Sequence, residues 1–469
     1  MATLTIRAIV RNRPGALAAI SQVIASFGCN IERVIVVRSR NPGHARLKLD
    51  ACCGEQERLD SLLAGLEGLK DVVRIRAKAA RSGSAAYWIV AYSLFVAILG
   101  INVASPLYAV YKQMWALTPG TVTLVYAAYA FAVIPSIVLF GQLSDRLGSR
   151  GILIGGLISA MLGSLFLALA DGLPPLLVAR LFQGLSAGMF NGVAIAAMTI
   201  LHRERSRSKA AYAAAIAVTA GNALGPVLGG ALAQYGPLPT QLPYFVHILL
   251  TLPGFAGLLF VRIGPDGAGQ KANRLRWPAV PAQAKPAFYP AALTSFIAWG
   301  VISLYMSVIP SSMEAWTGRS SLSAAGVAAA LAMGVSAASQ PLLRFLSPLR
   351  GVMIGFGCIA AGLALLIVAL SHPTLWMLML STVCVGLGHG PLYAASLAAV
   401  NAAAPDGMRG DLVSVFYAMT YLGVAVPVLG LGYATSWIGL TAATAAFACA
   451  MAALAALAGR GWFNLYRRD

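Results

Sequence analysis

From about residue 87 onward the chain alternates between long apolar runs and short polar tracts. The runs lie near 87–110, 120–142, 151–170, 174–200, 211–233 and 243–262, then near 288–312, 321–344, 351–371, 374–398, 411–434 and 438–459. Each is about twenty residues long, the length that crosses the hydrocarbon core of a bilayer as a helix. A tract rich in Pro, Gly, Lys and Arg, residues 264–286, separates the two groups of six. That spacing predicts two repeated halves, 86–263 and 287–460.

The first 80 residues carry a different period. Leu4–Val10 alternates as a strand does, and Pro14 and Gly15 break it. Ala16–Phe27 has helical periodicity. Ile31–Arg38 and Ala45–Ala51 alternate again, joined by a turn at Asn41, Pro42 and Gly43. A second helix is expected near Gln56–Leu66 and a last strand at Val72–Ile75. The order β-α-β-β-α-β is a ferredoxin-like α/β unit. The expected fold is therefore mainly α, a polytopic membrane protein of about 12 transmembrane helices in two six-helix bundles, with a small N-terminal α/β domain.

Composition sharpens this reading. Of 469 residues, 59% are hydrophobic and only 10% charged, against about a quarter charged in soluble proteins. The mean hydropathy is +0.77. A formal charge of +19 raises nucleic acid as a partner. The distribution argues against it, because the basic residues sit in short tracts between apolar runs. With the N-terminus inside, twenty Lys and Arg beyond residue 75 fall on the inner side. Only Lys112 and Arg319 fall outside, and Arg180 lies within a helix. That asymmetry predicts cytoplasmic termini in a plasma (inner) membrane. The polar start of the chain leads us to expect no cleavable leader. The six cysteines show no metal spacing and read as small buried hydrophobes. No cofactor or metal site is expected. The absence of a phosphate-binding loop and of a nucleophile–base arrangement disfavours enzymatic chemistry and ATP-driven pumping.

Residues 1–80 resemble an ACT domain, most closely that of the acetohydroxyacid synthase small (regulatory) subunit. The resemblance rests on Asn12-Arg13-Pro14-Gly15-Ala16-Leu17, Gly28-Cys29-Asn30-Ile31-Glu32 and Asn41-Pro42-Gly43. It implies that Asn12, Gly15 and Asn30 contact a small amino-acid effector, and that the domain pairs in a homodimer. Gly15 allows a ligand close to the backbone, and the helix N-terminus behind it attracts a carboxylate. A structural turn with an ordinary helix cap explains the same residues without a ligand.

The turn after the second run reads Gly141-Gln142-Leu143-Ser144-Asp145-Arg146-Leu147-Gly148-Ser149-Arg150, which resembles the signature loop of the major facilitator superfamily. The resemblance implies that Gly141, Asp145, Arg146, Gly148 and Arg150 latch the cytoplasmic side, with Asp145 at a helix N-terminus. Ser149 stands where a basic residue is usual. The corresponding loop from Arg344 to Arg350 lacks an acid. Arg180-Leu181-Phe182-Gln183-Gly184 resembles a second signature of the superfamily. Residues 180, 184, 187 and 191 share one helical face, so Arg180, Gln183 and Asn191 are candidate substrate or coupling groups. A structural hydrogen bond from Arg180 to nearby carbonyls is the alternative. Gly221, Gly225, Pro226, Gly229 and Gly230 resemble the antiporter signature, which implies export; close helix packing alone also explains them.

Asn102, Trp299, His389 and Tyr393, with Tyr108, Ser303, Tyr305, Tyr417 and Tyr421, are candidates for a central pocket. His389 is a candidate proton carrier or a satisfied buried histidine, and His247 has a weaker claim. No acid falls mid-membrane, which favours anionic or zwitterionic substrates. The reading is a secondary exporter of a small-molecule solute. The alternatives are an importer of an amino acid or organic acid under feedback control, and a membrane sensor that moves nothing.

Overall fold

The computed structural model describes residues 2–38, 43–53, 59–79, 84–202, 206–261, 263, 278–317, 321–341, 347–405 and 408–467. The turn residues Asn41 and Pro42, most of the linker 264–286, Arg344 and Asp406 lie outside the described residues.

The N-terminal unit has the predicted order: β1 (Ala2–Arg11), α1 (Ala16–Ser26), β2 (Asn30–Arg38), β3 (His44–Cys53), α2 (Leu59–Glu67) and β4 (Val72–Ala79). The strands form one antiparallel sheet in the order β2-β3-β1-β4. Alternation places Ile6, Ala8 and Val10 on one face, opposite Leu49, Leu47 and Ala45. These pack with Ile20 and Ile24 of α1 and with Leu62 and Leu66 of α2 into a single core. Gly15 opens α1 at φ +91, a left-handed backbone that other L-residues resist. Cys29, expected as a buried thiol, is buried but disulfide-bonded. The register that sets Asn30 opposite Cys52 brings the cysteine-bearing ends of β2 and β3 together. Cys449, also expected to be buried, is exposed.

The rest of the chain is helical: α3 (Ser84–Val103), α4 (Tyr108–Met114), α5 (Pro119–Leu147), α6 (Ser149–Ala168), α7 (Leu173–Phe190), α8 (Val193–Leu201), α9 (Arg207–Tyr235) and α10 (Leu242–Phe260) in the first half. The second half holds α11 (Lys285–Thr317), α12 (Leu322–Ser339), α13 (Pro348–Ser371), α14 (Leu375–Ala403), α15 (Arg409–Ile438) and α16 (Leu440–Tyr466). Among the described residues these make 12 spans long and apolar enough to cross a membrane.

Two spans expected as continuous helices are interrupted. The first breaks between α3 and α4, where Pro106 removes a backbone donor. The fourth breaks at Asn191 and Gly192, the latter at φ +82. The signature loop also differs from the sequence expectation. α5 continues through Leu147, so Gly141, Asp145 and Arg146 are helical, and Gly148 (φ +81) alone joins α5 to α6. Asp145 thus belongs to the last turn of α5, not to a helix N-terminus; its side chain and that of Arg146 lie outside the described residues. Only a glycine tolerates the φ of that one-residue connection.

Candidate functional site

Helix α7 positions its polar residues by burying them against α3 and α5. Arg180 is fully buried. Its guanidinium donates to the carbonyl oxygens of Val125 (3.2 Å), Ile101 (2.9 Å) and Tyr126 (3.1 Å), and to Gln183 Oε1 (2.6 Å). Gln183 in turn donates to the Gly100 carbonyl at 2.9 Å. The Tyr129 ring lies 4.5 Å from the guanidinium carbon, a cation–π distance. Arg180 and Gln183 therefore bind three helices together through their own donors and acceptors. Asn102 behaves similarly, donating to Asn222 Oδ1 at 2.9 Å and so tying α3 to α9.

Asn191 caps the broken end of α7. Freed from regular helix geometry, it donates to the Tyr421 hydroxyl of α15 at 3.0 Å. Tyr421 meets Tyr129 edge-on at 6.3 Å, and Tyr129 meets Tyr126 at 5.9 Å. The Tyr126 hydroxyl lies 3.5 Å from Ser303 Oγ, which donates to the Trp299 carbonyl one turn away. The Trp299 ring packs edge-on against His389 (5.0 Å) and Tyr393 (5.5 Å). The Tyr393 ring stacks on Phe416 of α15 at 6.2 Å, and the next residue, Tyr417, precedes Tyr421 by one helical turn. The series closes on itself. It forms a belt of aromatic side chains from α5, α11, α14 and α15, drawn from both halves.

The belt is incompletely satisfied. His389 Nδ1 is 2.7 Å from Ser336 Oγ, but its Nε2 has no partner among the described residues. Trp299 Nε1 and the Tyr108 hydroxyl are also buried without one. Trp299, Tyr393, Tyr417 and Tyr421 keep part of their surface accessible. A solute against the belt would find flat apolar faces and a few fixed polar atoms, the usual make-up of a small-molecule site.

Sequence reasoning named Asn191, Trp299, His389 and Tyr393, which the fold brings to this belt. It placed Arg180, Gln183 and Asn102 beside them, whereas the structure sets these three in packing behind it. It missed Tyr126 and Tyr129, whose three-residue spacing in α5 was a readable sign of a shared helical face. His247 is a packing residue, held by Ser164 Oγ (2.6 Å) and the Val96 carbonyl (2.9 Å). Tyr305 likewise pairs with Ser381.

The halves meet toward one end of the helices. A Cβ at Gly120 of α5 would sit 2.7 Å from the Tyr433 ring of α15. Gln234 of α9 accepts from the Ser323 amide of α12 at 2.9 Å. Gly326 packs on the Pro226 carbonyl, and Gly230 on that of Leu322, too closely for any side chain. On its other face α9 presses Gly221 and Gly225 onto the Phe95 and Leu99 carbonyls of α3. At the opposite end Arg150 donates to the carbonyls of Leu258 (3.0 Å) and Leu259, within the first half.

Twelve spans in two bundles around such a belt define a multi-pass membrane protein of the transporter type. The Major Facilitator Superfamily model matches residues 90–426, and the chain belongs to that family. Residues 6–74 match the AHAS small subunit-like ACT domain. Among relatives, the chain is 25% identical over 240 residues to a protein of Escherichia coli O1:K1 / APEC named for multidrug resistance, MdtD, with 47% of this chain and 49% of that one covered. Its counterpart in Escherichia coli O17:K52:H18 is 26% identical over 245 residues. The chain thus matches about half the length of these curated relatives. A bacterial homologue of the human lysosomal transporter Spinster, inward-facing and unoccupied, superposes with a TM-score of 0.66 at 16% identity, covering 82% of this chain and 99% of that one. A peptide transporter POT with sulfate gives 0.66 at 14% identity, covering 81% and 95%.

Proposed function

We propose that the chain is an exporter of a small amphipathic solute that binds at the aromatic belt. The observation that carries this reading is the belt itself. It is assembled from both halves, and Trp299 Nε1, His389 Nε2 and the nearby Tyr108 hydroxyl are buried without partners among the described residues. Each such atom costs about 1–3 kcal/mol when unsatisfied, and a solute carrying an acceptor and a flat apolar portion would offset that cost. Arg180 behind Tyr129 makes the site positive and favours anionic or zwitterionic solutes over cations. His389 is the group we assign to proton coupling. In this reading Gly141, Asp145, Arg146, Gly148 and Arg150 latch the cytoplasmic end. Gly221, Gly225, Pro226, Gly229 and Gly230 let α9 slide against α3 and α12. The multidrug-resistance name of the MdtD relatives supports export.

We assign residues 1–80 to a regulatory domain, 86–263 and 287–460 to the two bundles, and 264–286 to their linker, with both termini cytoplasmic. Asn12, Gly15 and Asn30 are the proposed effector contacts, in a domain paired with a second copy. Regulation then requires the amino acid to bind one transport state better than another.

The test is flux in reconstituted vesicles under an imposed pH gradient, with planar organic anions as probes. Uphill movement lost in Trp299→Ala and His389→Ala supports the reading. Equal flux in wild type and both variants overturns the belt as the solute site, and binding without flux makes the chain a sensor.

A further inference from the structure

Strand register gathers basic residues of β1, β3 and β4 on one face. Arg7 of β1 stands opposite Lys48 of β3 and Arg76 of β4. In the next row Ile9 stands opposite Arg46 and Arg74, and on the other side Thr5 stands opposite Asp50 and Lys78. Directly opposed positions share a face, and faces alternate along a strand. These rows are therefore on the side away from Ile6, Ala8, Leu47 and Leu49, which form the core under the two helices. Asp50 is the one acid in the three rows. Of the unit's other described acids, Asp60 and Glu67 belong to α2, Asp71 precedes β4, and Glu32 sits at the irregularity of edge strand β2.

Like charges directly opposite one another destabilise a sheet, so these rows fit a fold that meets a neutralising surface. Within the sheet Arg46 and Arg74 are exposed and Lys48 is half-buried. The tether narrows the identity of that surface. β4 ends at Ala79 and the first span starts at Ala85. At roughly 3.3–3.6 Å per residue the intervening chain keeps the C-terminal end of β4 within about 20 Å of the start of that span. Sheets that bind single-stranded RNA stack bases on aromatic residues, and the four strands contain no Phe, Tyr or Trp.

We propose that the helix-free face of the N-terminal sheet docks on anionic lipid headgroups, holding the domain against the membrane that its own helices cross. Basic clusters next to a membrane span bind acidic lipid in this way, and the attraction fades beyond a Debye length.

The test is amine footprinting of the full chain in nanodiscs. Labelling of Lys48 is compared between purely zwitterionic lipid and lipid with about a third anionic headgroups, a composition that gives a negative surface potential. Lys70, exposed before β4, is the internal control. The proposal expects Lys48 labelling to fall at least threefold on anionic discs, with Lys70 unchanged. Protection should vanish at 0.5 M salt and in the double variant Arg46→Glu, Arg74→Glu. Equal Lys48 labelling on both discs overturns it. So does protection on zwitterionic discs by an added RNA oligonucleotide with no lipid dependence, which would make the face a nucleic-acid surface.

Discussion

The Asn191 amide donates to the Tyr421 hydroxyl across the two halves at 3.0 Å, from the point where the fourth span loses helical geometry. Gly192, at φ +82, makes that break possible, and the break frees Asn191 to reach α15. The bond exists only while α7 and α15 are together at this level. Tyr421→Phe removes it and keeps the ring against Tyr129. We expect a loss of about 0.5–1.5 kcal/mol in the stability of this arrangement, seen as a lower thermal midpoint in detergent. An unchanged midpoint would mean that the bond contributes nothing net.

Trp299→Phe removes one orphaned donor. It keeps an aromatic ring beside His389 and Tyr393 but loses the Nε1–H together with one ring of the indole. If the bound solute accepts from that group, its affinity should fall about tenfold, the equivalent of roughly 1.4 kcal/mol. Titration of purified protein measures this. Equal affinity would place the solute elsewhere on the belt.

Arg180→Lys should behave as a severe change despite the conserved charge. An ammonium cannot reproduce a fork that reaches two carbonyls of α5, one of α3 and Gln183 of α7 at once. Leaving those buried acceptors unpaired should cost about 2–4 kcal/mol and lower the yield of folded protein. Size-exclusion profiles and thermal unfolding check it. A variant as stable as wild type but unable to transport would move Arg180 from packing to coupling.

Gly326→Leu should separate the halves where α12 meets α9. There is no room for a side chain against the Pro226 carbonyl, so the approach seen here is blocked while each half can still fold. Transport should stop, and cysteines placed at Gln234 and Ser323, where Gln234 Oε1 now accepts from the Ser323 backbone N–H at 2.9 Å, should no longer crosslink. Efficient crosslinking would show that the contact survives.

Gly15→Ala should destabilise the N-terminal domain by about 1–2 kcal/mol, because φ +91 forces Cβ toward the following carbonyl oxygen. A Cβ there meets no other atom within 4 Å, so the loss is conformational and not steric crowding. Differential scanning fluorimetry of the full chain, compared with Gly28→Ala, tests this. A neutral result would mean that the loop relaxes.

The sequence by itself determined the architecture. Twelve apolar runs of membrane length leave helices as the solution, because lipid cannot satisfy free backbone groups. The strict alternation of Ile6, Ala8 and Val10 against Leu47 and Leu49 fixed which face of the small sheet is buried. Motif residues such as Gly148 and Gly225 were visible because their spacing in the chain carries the constraint. What only the tertiary structure decided is which polar residues are used up in packing. Arg180 and Asn191 lie on one helical face in the sequence, yet Arg180 is consumed by neighbouring carbonyls while Asn191 reaches across to the other half. Tyr129 and Tyr421 are far apart in the chain and meet only when the two bundles pack. Hydrophobic periodicity reports which side of a helix is buried, but it holds no information about which distant helix will lie against that side.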